Sequence, residues 1–177
     1  MLIDGGIVFM TKNLIIYYSR RGQNYVNGEI VDLPVGNTEV IVNFIRECID
    51  ADTFQVETVK DYPEDYMETT EIAQQELDDD ARPELKNELN DISQYDTIII
   101  ASPNWWGTLP MALFTQLEKL DFTGKTVKTV ITHEGSGLGD AMDDIEKLCR
   151  GADIREGLKI HGAEVQDSKG MIERWIE

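Results

Sequence analysis

The stretch Tyr95–Gly107, "YDTIIIASPNWWG", holds an unbroken apolar run that leads straight into an aromatic loop. β-Branched residues favour strands, and a strand without polar alternation is typically buried on both faces. Such strands form parallel sheets that helices cover on each side. The stretch therefore predicts the central strand of an α/β fold.

Four further segments have the same strand-like character, and helical patterns separate them. The predicted strands cover residues 13–19, 53–59, 95–102, 125–133 and 157–165. Apolar residues that recur every three to four positions predict helices over residues 37–49, 109–120, 139–149 and 168–176. A helix over residues 64–81 rests on a weaker pattern, because this segment is highly acidic and Pro83 follows it closely. The alternation predicts a three-layer, doubly wound sheet of five parallel strands.

The length of 177 residues suits a single domain, which we expect over residues 13–177, with residues 1–12 as an N-terminal extension. Met10 is an alternative start of the chain. The first residues have no basic leader, and their apolar run is too short for a secretion signal, which predicts a cytoplasmic location. Cys48 and Cys149 have no metal-ligand spacing, and we predict no metal site.

The chain is strongly acidic, with 34 Asp and Glu residues against 16 Lys and Arg residues and a formal charge of −18. This charge repels nucleic-acid backbones and anionic lipid surfaces, so neither nucleic acid nor membrane insertion is expected. It could steer the protein towards basic patches on a partner, or serve solubility alone. The sequence leaves the oligomeric state open.

Parallel sheets of this type bind ligands beyond the carboxyl ends of their strands. The loop after the first strand begins at Ser19 and leads to a helix that starts near Asn37. A helix start offers free amide groups that suit a phosphate, and the side chains of Ser19, Asn37 and Thr38 add donors. The alternative is that Asn37 or Thr38 only caps the helix.

The loop after the third strand places Trp105 and Trp106 side by side, between Pro103 and Gly107. Adjacent side chains diverge, so at least one ring should reach solvent or a flat aromatic ligand, where stacking contributes about 0.5–1.5 kcal/mol. The alternative is a tryptophan that packs under the loop as an apolar lid.

The loop after the fourth strand reads "THEGSGLGD", Thr132–Asp140, and its three glycines allow the backbone to approach a ligand closely. His133 and His161 are interpreted as structural histidines at strand positions. No arrangement of Ser, His and an acid indicates a hydrolase, and we predict no catalytic residue.

Together, the three loops resemble those of the flavodoxin family, over the chain from Asn13 to its C-terminus. "SRRG" (19–22) and "NTE" (37–39) resemble two halves of the family's phosphate loop, with Arg21 where the family usually has Thr. The resemblance implies the cofactor FMN and the strand order 2-1-3-4-5. The implied cofactor-binding residues are Ser19, Arg21, Gly22, Asn37, Thr38, Pro103, Asn104, Trp105, Trp106, Gly107, Glu134, Gly135, Ser136, Gly137 and Gly139.

The resemblance implies a carrier that passes single electrons, through the flavin semiquinone, to redox partner proteins, and the acidic charge of the chain favours basic docking patches on those partners. The alternative is an enzyme of the same fold, an NAD(P)H-dependent FMN quinone or flavin reductase. A signalling receiver domain is disfavoured, because the strand ends lack the acidic cluster with its phospho-acceptor Asp that it needs.

Residues 23–36 separate the two halves of the phosphate loop, and their Asn-Gly pair predicts a small hairpin. The hairpin could lie over the site, or it could be a surface insertion without ligand contacts. Many flavodoxins stack a Tyr from the loop after the fourth strand on the flavin, but Thr132–Asp140 contains no aromatic residue. Stacking is therefore one-sided, or Tyr25 of the insertion supplies the second face.

Overall fold

A computed structural model describes residues 12–177. The predicted N-terminal extension, apart from Lys12, and the alternative start at Met10 lie outside these residues. The described strands are β1 (Asn13–Tyr17), β2 (Gly22–Val26), β3 (Glu29–Leu33), β4 (Asp52–Gln55), β5 (Thr97–Pro103), β6 (Thr126–His133), β7 (Asp153–Ile154) and β8 (Leu158–His161). The described helices are α1 (Asn37–Cys48), α2 (Tyr66–Asp78), α3 (Met111–Leu117), α4 (Ala141–Leu148) and α5 (Lys169–Ile176).

The central sheet has the order β4-β1-β5-β6, with β7 and β8 both paired to β6, and all of these pairs are parallel. The predicted α/β fold and its doubly wound sheet are confirmed. The sheet differs in detail at its last position, which two short strands share. The predicted strand over 157–165 stops at His161 and continues as a 3₁₀ helix, Gly162–Asp167.

Gly162 explains where this last strand ends. A Cβ atom at position 162 would lie 2.0 Å from Glu134 Oε1 and 3.0 Å from Asn37 Nδ2. The chain therefore passes directly against two neighbouring elements and turns away there. The His161 ring supports the turn, because its Nδ1 accepts a hydrogen bond from the Ala163 amide at 3.1 Å.

The core consists of two apolar layers, one on each face of the sheet. Ile98 and Ile100 of β5 point into the layer that contains Leu113 of α3. Ile99 and Ala101 point the other way, into the layer of α1 and α5. All four of these β5 residues are fully buried. Burial on both faces confirms the interpretation of the apolar run. The parallel pairing of β1, β5 and β6 places the loops that follow these strands at one edge of the sheet.

The insertion forms the predicted hairpin. Strands β2 and β3 pair antiparallel with each other in a separate two-stranded sheet, and Tyr25 lies opposite Ile30. Asn27 and Gly28 have φ angles of 51° and 89°, the left-handed values that a tight Asn-Gly hairpin turn requires. Among the described residues, no helix is long and apolar enough to span a membrane.

Candidate functional site

A cavity of about 400 Å³ opens at the carboxyl ends of β1, β5 and β6. The hairpin and α2 close its remaining sides. Its lining residues are Ser19, Arg20, Asn24, Tyr25, Asn37, Thr38, Tyr66, Met67, Thr69, Thr70, Ala73, Pro103, Asn104, Trp105, Trp106, Thr132, His133, Glu134 and Ser136. The three loops that the sequence indicated, which follow β1, β5 and β6, therefore meet at this cavity.

Nine of the fifteen predicted cofactor-binding residues line this cavity: Ser19, Asn37, Thr38, Pro103, Asn104, Trp105, Trp106, Glu134 and Ser136. Six are not among the lining residues: Arg21, Gly22, Gly107, Gly135, Gly137 and Gly139. The second group consists of one exposed arginine and five glycines with positive φ angles.

One end of the cavity is the start of α1. Gly36 is the N-cap residue and Asn37 is already helical, so the alternative of an Asn37 or Thr38 cap is wrong. Ser19, which is distant in the sequence, supplies the side-chain acceptor for this helix start instead, because its Oγ accepts a hydrogen bond from the Glu39 amide at 3.1 Å. Within residues 12–177, the amides of Asn37 and Thr38 have no hydrogen-bond partner. Two free amides at the positive end of a helix are an arrangement that binds anions.

The two halves of the split loop touch at Gly36. A Cβ atom there would lie 2.3 Å from Ser19 Oγ and 2.5 Å from the Arg20 carbonyl oxygen. Only glycine fits without a shift of the Arg20 backbone. Thr38 joins α1 to β6, since its hydroxyl shares a buried hydrogen bond of 3.0 Å with the Thr132 hydroxyl.

The two arginines of this loop point to different places. Arg20 lines the cavity and donates to the carbonyl oxygens of Gln23, Pro63 and Glu64 at 2.9, 3.0 and 2.9 Å. Arg21 forms a bidentate pair with Glu39, and its side chain is 65% exposed. Arg20 is therefore the cation at the cavity, and Arg21 lies on the surface.

The two tryptophans diverge as predicted. Trp105 packs edge-on against Tyr18 and Tyr62, with ring centroids 5.0 and 5.2 Å away. Trp106 is 50% exposed and reaches across to α2, where its Nε1 donates to the Thr70 carbonyl oxygen at 2.8 Å. The Trp105 ring is thus held by two aromatic neighbours, and the exposed Trp106 ring lies at the opening of the cavity.

The glycines outside the cavity connect its loops. Trp106 and Gly107 form a tight turn with φ angles of 55° and 91°. The Gly107 amide donates to Asn104 Oδ1 at 2.8 Å, and its carbonyl oxygen accepts from the Asp140 amide at 2.6 Å. A Cβ atom on Gly139 would lie 2.2 Å from that same carbonyl oxygen. These glycines let the two loops pack backbone against backbone.

Both histidines of the chain lie together at the ends of β6 and β8, where His133 and His161 are register partners. Their ring centroids are 5.5 Å apart. Glu134 lies beside them, with Oε2 at 3.7 Å from His161 Nε2. Burial lowers the pKa of His133, and the nearby His161 and Lys159 lower it further. His133 Nδ1 accepts from the Gly135 amide at 2.9 Å, so the neutral ring carries its proton on Nε2.

A sequence model of the flavodoxin family matches residues 33–177, which is most of the chain. The chain belongs to the flavodoxin family. The cofactor predicted from the sequence, FMN, is the cofactor of this family. The match begins at Leu33, the last residue of the hairpin, so residues 23–32 of the insertion lie outside it, together with β1 and the loop at Ser19. No curated protein matches the chain.

Solved structures support the flavodoxin fold. A protein from Bacteroides uniformis that is described as a flavoprotein superposes with a TM-score of 0.69 at 24% identity, over 94% of this chain and 97% of that one. A flavoprotein in complex with FMN from Lactobacillus acidophilus gives 0.62 at 19% identity, over 95% and 100%. A flavodoxin from Streptococcus pneumonia TIGR4 gives 0.53 at 18% identity, over 93% and 94%.

The residues of this flavodoxin-family site fit FMN. The free amides of Asn37 and Thr38 and the Ser19 hydroxyl suit a phosphate, and the indole rings suit a flat heterocycle. Gly36 has no side chain, so only its backbone lies beside the start of α1 where it packs against Ser19 and Arg20. A cavity of about 400 Å³ is within the range of small-molecule sites.

The sequence interpretation missed the wall that α2 contributes to this flavodoxin-family cavity. Tyr66, Thr69, Thr70 and Ala73 all line it, at positions i, i+3, i+4 and i+7 of one helix face. That spacing was available as a signal. It was obscured because the face contains threonines and the surrounding segment is acidic. The other lining residues outside the predicted set are Arg20, Asn24, Tyr25, Met67, Thr132 and His133.

Proposed function

We propose that this chain holds FMN in the cavity and carries single electrons between redox partner proteins. The observation that supports this most is the cavity itself: a slot of about 400 Å³ with aromatic walls and a helix start at one end. Such a slot accommodates one flat, phosphorylated ligand. When bound, FMN supplies the ability to accept and release electrons one at a time.

The chain's own residues bind and orient the cofactor. The amides of Asn37 and Thr38, with the Ser19 hydroxyl, would hold the phosphate. Trp105 and Trp106 would contact the ring from the loop after β5, and Glu134–Ser136 would contact it from the loop after β6. Arg20 adds a positive charge to a cavity of a very acidic protein, which favours a bound dianion over a neutral ligand.

Redox partners are proposed to carry basic docking patches. A charge of −18 attracts a basic protein at long range, and salt weakens that attraction. Electron transfer from the reduced protein to cytochrome c, a basic one-electron acceptor, should therefore slow as ionic strength rises. A rate that does not depend on salt would contradict electrostatic docking. The cytoplasmic location stays a prediction from the sequence.

The function is tested by reductive titration and turnover. We expect the purified protein to bind FMN, to take up electrons in two separate one-electron steps, and to reduce cytochrome c. We expect no sustained oxidation of NAD(P)H with a quinone, because a reductase must also seat a nicotinamide or quinone against the ring. Sustained NAD(P)H oxidation would favour the reductase alternative, and failure to bind added FMN would overturn the proposal.

A matched pair of tryptophan variants tests the location. Trp105→Leu removes a ring that lines the cavity, whereas Trp175→Leu removes a ring from α5, on the other face of the sheet. FMN affinity should fall in the first variant and stay unchanged in the second. Equal losses would indicate a general effect on folding and contradict the assignment of the cavity.

A further inference from the structure

Within residues 12–177, the hairpin β2–β3 has no strand pairing with the central sheet, and hydrogen bonds attach it to its surroundings at its base, along its length and at its tip. At its base, Arg20 Nε donates to the Gln23 carbonyl oxygen at 2.9 Å. Along its length, Gln23 Oε1 accepts from the Tyr66 amide at the start of α2, also at 2.9 Å. At its tip, the Asn27 amide donates to Glu134 Oε2 at 2.9 Å.

These attachments make the hairpin a side wall of the cavity. Its base belongs to the phosphate loop, and its tip reaches the loop after β6, whose residues lie on the opposite side of the site. Asn24 and Tyr25 line the cavity from this wall. The insertion is therefore not a surface decoration away from the site.

Tyr25 is the aromatic surface of the hairpin. Its ring stacks on Tyr66 with centroids 6.1 Å apart and an interplanar angle of 23°. Tyr25 is nevertheless 40% exposed, so much of its surface is still available for burial. The loop Thr132–Asp140 has no aromatic residue, which leaves Tyr25 and Tyr66 as the aromatic surface of the wall formed by the hairpin and α2.

Glu134 connects this wall to the ring loop. Oε2 receives the Asn27 amide, while Oε1 is buried and has no hydrogen-bond partner among residues 12–177. Gly162 packs against Oε1 and limits where the carboxylate can go. The carboxylate is thus held in place by its surroundings.

We propose that the hairpin is the cover of the ligand site, with Tyr25 as the contact residue for the flavin and Glu134 as the latch that holds the hairpin tip. This inference rests on the proposed FMN function. Release of the ligand then requires the tip to leave Glu134, so the latch sets the dissociation rate. Glu134 acts through the Asn27 amide and is a positioning residue in this respect.

The contact is tested by substitutions in the hairpin. Tyr25→Ala should raise the Kd for FMN about two- to tenfold, the range expected for loss of one aromatic stacking contact. Tyr25→Phe should bind like the wild type, because it keeps the ring. Ile30→Ala is the matched control, since Ile30 faces Tyr25 across the hairpin and does not line the cavity.

Two outcomes would overturn the contact. One is a Kd of Tyr25→Ala equal to that of the wild type. The other is an equal rise of Kd in Ile30→Ala, which would trace the effect to hairpin stability instead of the Tyr25 ring.

The latch is tested by Glu134→Ala, with Glu134→Gln as the conservative variant and Glu29→Gln as a control that removes a charge from the same hairpin. In Glu134→Ala, the Asn27 amide of the FMN-free protein should exchange hydrogen faster, and FMN should dissociate faster while its association rate changes little. Glu134→Gln keeps an acceptor oxygen and should recover part of both effects. Glu29→Gln should behave like the wild type.

Unchanged Asn27 exchange in Glu134→Ala would overturn the latch, as would an unchanged FMN dissociation rate in a variant whose Asn27 exchange has increased. The two proposals fail separately. If the wild-type protein does not bind FMN, the proposed function is wrong. If the wild type binds FMN, and FMN dissociates from Tyr25→Ala and from Glu134→Ala at the wild-type rate, only the proposed cover is wrong.

Discussion

The side-chain amide of Asn104 donates to the Gly137 carbonyl oxygen at 2.9 Å, which ties the loop after β5 to the loop after β6. The same side chain accepts from the Gly107 amide through Oδ1 at 2.8 Å. One asparagine therefore uses both ends of its amide to fix the two loops that line the cavity. Asn104 therefore positions these two loops relative to each other in the absence of a ligand.

Asn104→Ala should destabilise the protein by about 1–3 kcal/mol, because it leaves partly buried backbone groups of Gly107 and Gly137 without their partner. FMN affinity should fall as well, since the two loops lose their fixed separation. Urea unfolding and a fluorescence titration measure the two effects. Asn87→Ala, at an exposed position on the surface, is the control and should change neither. Wild-type values in both measurements would show that the loops are held by other contacts.

Gly139→Ala should destabilise the protein by about 3 kcal/mol or more, since it adds a clash with the Gly107 carbonyl oxygen to the strain of a left-handed backbone. Gly124→Ala separates the two contributions. Gly124 has a φ angle of 76°, and nothing lies within 4 Å of a Cβ atom added to it. Gly124→Ala should therefore lower the unfolding free energy only by the backbone strain, about 1–2 kcal/mol. Equal unfolding free energies for the two variants would exclude the backbone clash.

Asn37→Pro should weaken FMN binding about tenfold or more, because it removes an amide that is proposed to contact the charged phosphate. Proline is favoured at the first helical position, and Gly36 has the extended backbone that a following proline needs, with a ψ angle of 151°. The control is Asn37→Ala, which loses the side chain but keeps the amide. Riboflavin lacks the phosphate, so its affinity should be equal in the two variants. Similar FMN affinities for both would contradict the phosphate assignment.

The stability of the protein should fall on acidification partly because of His133. Burial and the neighbouring His161 and Lys159 lower its pKa below 6.5, against a smaller opposing effect of Glu164. Folding thus favours the neutral ring, and this contribution is complete above pH 6.5 and is lost as the pH falls through the lowered pKa. In His133→Gln, the unfolding free energy measured by urea between pH 8 and pH 5, a range of about three units around the usual histidine pKa, should fall less steeply. Parallel curves for the two proteins would contradict this assignment.

The elements that the sequence predicted well are those that local patterns specify. The buried run Ile98–Ala101 indicated a parallel sheet because no polar residue interrupts it, and the pair Asn27-Gly28 indicated the hairpin turn because few other pairs adopt its angles readily. The three loops followed from the topology, since parallel strands end at one edge.

The features that the sequence did not predict depend on contacts between distant segments. Nothing local distinguishes Arg20 from Arg21, and their orientations are set by Glu39 on one side and by the carbonyl oxygens of Pro63 and Glu64 on the other. The contact from Asn27 to Glu134 spans 107 residues. The last strand ended earlier than predicted, because packing at Gly162 decides its end and its apolar pattern does not.

The register of the hairpin has a consequence for protein engineering. Gly22 and Leu33 lie directly opposite each other, so the chain leaves and re-enters the body of the protein at nearly the same point. Hairpins of other lengths and sequences could be grafted between these two positions without moving β1 or α1. The cavity would then stay constant while the hairpin that covers it is exchanged. The residence time of a ligand could in this way be selected independently of the core that binds it.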